Sequence, residues 1–396
     1  MDRRWLTVLL GVLVPVALVV GLFLGGHPDT LPTFARNAVV SDNEAQVFQQ
    51  AIDQVSSDFY LPEKKDALLD RALSGAVDGL DKFSQYYAPE DYQAFEDDTE
   101  GQFAGIGVTV AENDDGLRIT SIIPKGPAEA AGLRMGDEIV SVNGKILADV
   151  PDGQDKTTDI RGKAGTKVTL TIERDGTRMT KTLTRATVSV PVVDQRMETT
   201  PDGTKVGYVS LSQFTSGAHG IVSEDVRALL DRGAKGIVFD LRHDGGGLLE
   251  EGVLVASVFI PDGLIVSTKG RNRAERKFNA SGDAIDTKIP LVVLVDGATA
   301  SASEIVTGAL QDDKRATVVG TRTYGKGVFQ EVEELPNGGA MKITVGEYFT
   351  PSGRNLAARN GKPGGITPDV EASDDPATPK TDEALQKGLE VLEGKL

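Results

Sequence analysis

The sequence predicts a mixed α/β chain in several parts, and three observations carry that reading. From residue 206 onward, short apolar runs alternate with helix-spaced stretches. Between 99 and 187 the apolar period is two, punctuated by turn residues. Ahead of these stand two stretches of helical spacing, and before them an apolar run long enough to cross a bilayer. A chain of 396 residues has room for two or three separate cores.

Composition removes several function classes. Lys and Arg total 42 against 59 Asp and Glu, a net charge of −17, which argues against nucleic acid and against an anionic membrane surface. That balance suits a soluble body displayed outside a cell. The absence of cysteine excludes disulfides, thiol catalysis and thiolate metal sites. The three histidines, His27, His219 and His243, lack metal-ligand spacing, so neither metal nor cofactor is expected.

In chain order, residues 1–26 read as a transmembrane signal-anchor. Arg3 and Arg4 precede an almost unbroken apolar run over 5–26, which places the N-terminus inside and the body outside. No clear small-x-small site precedes Gly25-Gly26-His27, so the segment is expected to be retained rather than cleaved as a signal peptide. Residues 27–40 read as a linker and 41–98 as a helical region. Ser41-Asp42-Asn43-Glu44 is a capping box, and Val47, Phe48, Ala51, Ile52, Val55 and Phe59 follow on one helical face until Pro62. A second helix over 65–80 turns Leu68, Leu69, Leu73 and Leu80 inward. Tyr86, Tyr87, Tyr92 and Phe95 are expected to pack further short helices.

Residues 99–187 predict a compact β-rich module. Ile106, Val108 and Val110 alternate, and a strand from Leu117 follows the Asp114-Asp115-Gly116 turn. A short helix over 127–131 ends at Gly132, and a strand over 138–142 closes on Asn143-Gly144. A last hairpin turns at Asp175-Gly176.

Residues 188–372 carry the strand–helix alternation: strand 206–211, helix 218–230, strand 236–241, helix 248–259. The next pair is an apolar strand over 290–295 and a helix over 302–311, with Ser301 at the junction. Strands from 316 and over 340–349 close the series, with Lys326 between them. Residues 373–396 read as a polar linker and a helix whose Leu385, Leu389, Leu392 and Leu396 form a packing or dimer face.

Ser301 is the candidate nucleophile. A strand-to-helix junction offers unpaired backbone N–H groups and the positive end of a helix dipole, which suits an oxyanion, and Ala298, Ala300 and Ala302 leave room for a substrate carbonyl. Lys326, between Gly325 and Gly327, is the candidate base. It serves only when uncharged, so the fold must bury it and lower its pKa by several units; Tyr324, Val328 and Phe329 are the expected apolar setting. On an extended strand residues 326, 328 and 330 share a face, so Gln330 is placed to hold the amine. The glycines 245–247 carry no Walker lysine and no dinucleotide fingerprint, and read as a donor of backbone N–H to an oxyanion, paired with Ala302. Ser303 reads as a hydrogen-bonding serine of the first helical turn. A Ser–His–Asp arrangement of Ser301, His243 and Asp240 or Asp244 remains an alternative, without a Gly-x-Ser-x-Gly elbow to support it.

Two resemblances add to this. Gly105-Ile106-Gly107-Val108, Gly126-Pro127-Ala128-Glu129-Ala130-Ala131-Gly132-Leu133 and Gly136-Asp137-Glu138-Ile139-Val140-Ser141-Val142-Asn143-Gly144 resemble a PDZ domain. That resemblance implies that Gly105, Ile106, Gly107 and Val108 hold a peptide's C-terminal carboxylate while the peptide adds as a strand. Arg161 is a candidate second contact. The chain from about 41 to 370 is similar to the C-terminal processing peptidases of family S41. The carriers are Leu80-Asp81-Lys82-Phe83-Ser84, Asp240-Leu241-Arg242 with Gly246-Gly247, Ala300-Ser301-Ala302-Ser303-Glu304, Gly325-Lys326-Gly327 with Gln330, and Thr350-Pro351-Ser352-Gly353-Arg354.

The family resemblance implies a ClpP/crotonase-like protease core with an inserted PDZ domain that gates it. It implies a catalytic serine at Ser301, a lysine at Lys326, a supporting glutamine at Gln330, and oxyanion donors at Gly246 or Gly247 and at Ala302. The expected partners are proteins with apolar C-terminal tails and the membrane, with a homo-oligomer possible and no nucleic acid. One departure stands out: the family reads Arg-x-Asn-Pro-Gly-Gly where this chain has Arg242-His243-Asp244-Gly245-Gly246-Gly247, and Gly245 in place of proline loosens the loop. A membrane-anchored adaptor that binds C-terminal peptides without cutting them is the non-enzymatic alternative.

Overall fold

The computed structural model describes residues 43–151, 154–359, 361, 363–375, 378 and 381–396. The expected anchor, the linker over 27–40 and the Ser41 cap lie outside the described residues. Among the described residues no helix is long and apolar enough to cross a membrane. Two units divide the chain, one ending at Leu80 and one from Asp81 to Leu396.

The first unit holds helices α1 (Asn43–Asp58) and α2 (Lys65–Asp78). Lys65–Asp53 and Arg71–Glu63 ion pairs, at 2.6 and 2.7 Å, join and brace them. Helix α2 stops two residues earlier than its pattern suggests, capped by Gly79, so Leu80 lies beyond it and is exposed rather than inward.

The second unit begins with strand β1 (Gln85–Tyr87) and helix α3 (Pro89–Thr99). Tyr86 and Tyr87 therefore lie on a strand, not between short helices. Their aromatic side chains are buried, and the strand is a sheet edge supplied from ahead of the β-rich module. A short pair, β2 (Gln102–Gly105) with β9 (Ala186–Ser189), opens and closes that module. Between them run β3 (Val108–Glu112), β4 (Leu117–Ile122), helix α4 (Pro127–Ala130), β5 (Glu138–Val142), β6 (Lys145–Ile146), β7 (Lys167–Arg174) and β8 (Thr177–Thr184). Strands β3-β4-β5-β7-β8 form one antiparallel sheet with β6 on β5. Alternate residues Leu117, Ile119, Val168, Leu170 and Ile172 fill its core. Asn143 and Gly144 both take positive φ, +50° and +84°, the primed turn that the dipeptide signals.

The core follows: β10 (Val193–Thr199), β11 (Lys205–Leu211), α5 (Ala218–Asp231), β12 (Ile237–Asp240), α6 (Leu249–Ser257), β13 (Leu264–Gly270), β14 (Arg276–Asn279), β15 (Leu291–Val295), α7 (Ala302–Asp312), β16 (Thr317–Gly320), β17 (Val328–Glu334), β18 (Ala340–Phe349), β19 (Val370–Glu371) and α8 (Glu383–Glu393). Its main sheet runs β10-β11-β12-β15-β16-β19, parallel from β11 onward. Strand β15 is buried along its whole length because both faces are covered. Val293 and Val295 join the helices α5, α6 and α7 on one side; Val292 and Leu294 join Leu385, Leu389 and Leu392 of α8 on the other. The last helix thus packs on this sheet, while Leu396 stays exposed. A second sheet, β1-β18-β13-β14 with β17 along β18, supplies one wall of the site.

Candidate active site

Ser301 sits at the carboxyl end of β15 as the N-cap of α7, with φ +58° and ψ −117°. That conformation is costly for a residue with a Cβ and persists only when the surroundings enforce it. The room comes from another loop. A Cβ at Gly246 would lie 2.7 Å from both the Ala300 carbonyl oxygen and Ser301 Cβ, so only glycine fits there. The strained serine turn is therefore present without glycines in its own motif.

Glu304, one turn into α7 and fully buried, ties the site together. Its Oε2 accepts from the N–H of Ser301 at 3.1 Å and of Lys326 at 3.0 Å. Its Oε1 accepts from Thr323 Oγ1 at 2.6 Å and from the N–H of Gly325 at 2.7 Å. Tyr348 donates its hydroxyl to Oε2 at 3.3 Å. Burial, and next the Glu304 charge, hold the Tyr348 phenol well above its usual range, so it remains a donor. One carboxyl thus fixes both the serine turn and the lysine loop. Sequence reasoning gave it no role, although Ser301 and Glu304 carry the S-x-x-E capping signature that would have pointed to it.

Lys326 Nζ stands 3.5 Å from Ser301 Oγ. Burial, and after it the Lys342 ammonium, push its amine down to about 8, while Glu304 and Asp81 pull upward. The apolar setting differs in part from expectation. Tyr324 is exposed and its hydroxyl oxygen accepts a hydrogen bond from Lys82 Nζ, whereas the Phe83 ring lies 5.3 Å from the Lys326 amine. The expected extended strand over 326–330 is present only in part, although Lys326, Val328 and Gln330 line one cleft. Strand β17 begins only at Val328, Gly325 and Gly327 take φ of +83° and +63°, and a register shift falls between Phe329 and Gln330. Gln330 Nε2 instead donates to Thr344 Oγ1 at 3.0 Å.

The glycine loop lies against the serine turn. Ala300 N–H and Ser303 Oγ both donate to the Asp244 carbonyl at 3.0 Å, which is where Ser303 spends its hydroxyl. Asp244 Oδ1 accepts the Gly246 N–H at 2.8 Å, so that donor is engaged. The Gly246 carbonyl accepts from Phe214 N at 2.9 Å, which turns the Gly247 N–H the opposite way across the planar peptide. Gly247 has no room for a side chain, since a Cβ would lie 2.3 Å from the Phe214 carbonyl oxygen. Ala302, first residue of α7, has an N–H with no partner inside its helix. Asp244 is fully buried, and its Oδ2 is the only buried side-chain polar atom without a partner among the described residues. Burial pushes its carboxyl up to about 7 against the opposing Gly246 N–H.

Ser301, Lys326 and Gln330 line a cleft of about 340 Å³ whose walls include Phe214, Leu248, Phe278 and Phe329. His243 does not line it. Its side chain is 84% exposed and its Nδ1 pairs with Asp296 Oδ2 at 2.7 Å. Asp240 is held by Tyr208 OH at 2.8 Å and by Arg242. The Ser301–His243–Asp alternative is thus not assembled. Among the described residues no group of three His, Asp or Glu side chains is placed to hold a metal.

In the β-rich module the carboxylate-loop candidates lie together. The Ile106 carbonyl accepts from Ala128 N at 2.8 Å and that of Gly107 from Ile123 N at 3.0 Å. Gly162, next to Arg161, donates its N–H to the Ala104 carbonyl at 3.2 Å, which brings the exposed Arg161 backbone to this loop. Arg185 holds that segment from below, donating to the carbonyls of Ile160, Asp159 and Lys167.

Comparison with known proteins gives the same two parts. Peptidase family S41 matches residues 205–372 and the PDZ domain matches 104–184. A carboxy-terminal-processing protease of Bartonella bacilliformis is 33% identical over 372 residues, 90% of this chain and 81% of that protein. A carboxyl-terminal-processing protease of Synechocystis is 33% identical over 388 residues, 94% of this chain and 90% of that one. The solved photosystem II D1 C-terminal processing protease superposes with a TM-score of 0.52 at 29% identity, covering 88% of this chain and 98% of the other.

Proposed function

The chain belongs to peptidase family S41, among the carboxyl-terminal-processing proteases with a PDZ domain, and on that footing we propose a Ser301–Lys326 dyad acting on the C-terminal tails of extracytoplasmic proteins. Ser301 attacks the scissile carbonyl while the uncharged Lys326 amine takes its proton and returns it to the leaving amine; water then hydrolyses the acyl-enzyme. The observation that carries this reading is the 3.5 Å approach of Lys326 Nζ to Ser301 Oγ in a buried setting that disfavours the ammonium.

The N–H groups of Gly247 and Ala302 are the oxyanion donors, joined by Gly246 when its N–H leaves Asp244. Gln330 acts on the lysine through Thr344 and the β18 face rather than by direct contact. The substrate's terminal carboxylate sits on the loop Gly105, Ile106, Gly107 and Val108 with Arg161 beside it. Residues 5–26 hold the body outside the cell membrane.

The test is cleavage of an unfolded reporter protein ending in an apolar tail. Ser301→Ala and Lys326→Ala should each lower kcat/KM by about a thousandfold or more, with His243→Ala near wild type. Binding of the tail without cleavage by the unaltered chain would instead support the adaptor reading.

A further inference from the structure

Three charged groups act electrostatically on the Lys326 amine. Glu304 of α7 and Asp81, ahead of β1, favour its charged form, and Lys342 of β18 opposes it. The cleft is otherwise lined by the charged Asp98, Glu250, Arg276 and Glu331. Lys342 also lines the cleft, and it is a fixed charge rather than a waving one. Its Nζ donates to Tyr87 OH at 3.1 Å. The same atom lies 5.6 Å from the ring centroids of both Tyr87 and Phe95, which stack on each other at 4.8 Å. The hydrogen bond and the two neighbouring rings hold the amine at the cleft wall. In register, Lys342 pairs with Val332 and with Gln85, and it shares a face of β18 with Thr344, the residue that Gln330 bonds.

We propose that Lys342 is a positioning residue for the catalytic base: its ammonium, held by Tyr87 and Phe95 on the wall of the same cleft, disfavours a second ammonium at Lys326 by like-charge repulsion. The proposal rests on the reading of Lys326 as base. It gives the segment between Asp81 and Thr99 a part in the chemistry, since β1 and α3 supply both clamping rings. A lysine beside a lysine lowers the proton affinity of the more buried one, because two ammonium groups in one cleft are costlier than one. The amine pushed down to about 8 agrees, with Lys342 the second cause after burial.

The experiment is the pH dependence of kcat/KM on the apolar-tailed reporter for the full chain, Lys342→Met, Lys342→Arg and Tyr87→Phe. In the unaltered enzyme kcat/KM rises with pH to a midpoint near 8. In Lys342→Met the midpoint moves up by on the order of one unit, so kcat/KM at pH 7 falls about tenfold and recovers at high pH. Lys342→Arg keeps the charge and the original midpoint. Tyr87→Phe keeps the ring, releases the ammonium and gives a smaller shift of the same sign, which tests the idea even where Lys342→Met folds poorly. A midpoint near 8 that stays put in both Lys342→Met and Tyr87→Phe overturns the proposal and leaves Lys326 as base. A midpoint that survives in Lys326→Ala overturns both.

Discussion

Two buried carboxyls flank Ser301, the proposed nucleophile, and are treated in opposite ways. Glu304 receives hydrogen bonds from Ser301, Thr323, Gly325, Lys326 and Tyr348. Asp244 receives one on Oδ1 and none on Oδ2. The saturated acid holds a strained backbone and a lysine loop in one geometry. The under-satisfied acid holds the Gly246 N–H, a proposed oxyanion donor, by a single bond. Under the proposed mechanism, the side that must not move is the fully bonded one, and the side that would accept a developing charge is left loosely tied.

Breaking the saturated side should have the largest effect. Glu304→Gln keeps the shape but replaces one acceptor with a donor, so buried N–H and O–H groups lose their partner. A loss of about 3–5 kcal/mol in urea unfolding is expected, together with loss of reporter cleavage. A stability within 1 kcal/mol of wild type would refute the contrast.

The under-satisfied side should respond with the opposite sign. The folded-state pKa of Asp244 is raised, from 3.8 to about 7, so folding favours its protonated form. The resulting destabilisation is absent below pH 4, grows as pH rises through that window and is complete above 7. Asp244→Asn, which removes the charge, should therefore raise Tm at pH 8 by an amount worth a few kcal/mol and leave it unchanged near pH 3.5. An equal change at both values would show that the carboxyl's ionisation is not the cause.

The smallest effect belongs to the loop's tip. Gly245 does not need to be glycine, having ordinary φ and no atom within 4 Å of a built Cβ. Gly245→Ala should stabilise by about 0.4–1 kcal/mol by restricting the unfolded chain, readable as a small shift in urea midpoint with no change in slope.

Much of this molecule was legible in the sequence because periodicity reports burial directly. The run over 291–295 is buried on both faces and reads as an unbroken apolar strand, and the Asn143-Gly144 and Asp175-Gly176 turns carry their own backbone angles. Ser301 and Lys326 were legible as a junction residue and a glycine-flanked lysine. What escaped were relations between distant segments. Nothing local tells that Tyr87 adds a strand to a sheet formed some 250 residues later, that Gly246 makes room for Ser301, or that a register shift at Gln330 gives its amide to Thr344. Alternation fails wherever a loop or bulge interrupts the pleat.

The proposed chemistry needs an uncharged amine at 326 beside the hydroxyl at 301. The direct measurement is an NMR titration of the lysine Nζ signals in the lysine-labelled full chain, with the 326 signal assigned by its loss in Lys326→Arg. A midpoint near 8 is expected for that one resonance. A midpoint at the ordinary lysine value above ~10, in an enzyme that still cleaves the reporter at neutral pH, would contradict that chemistry.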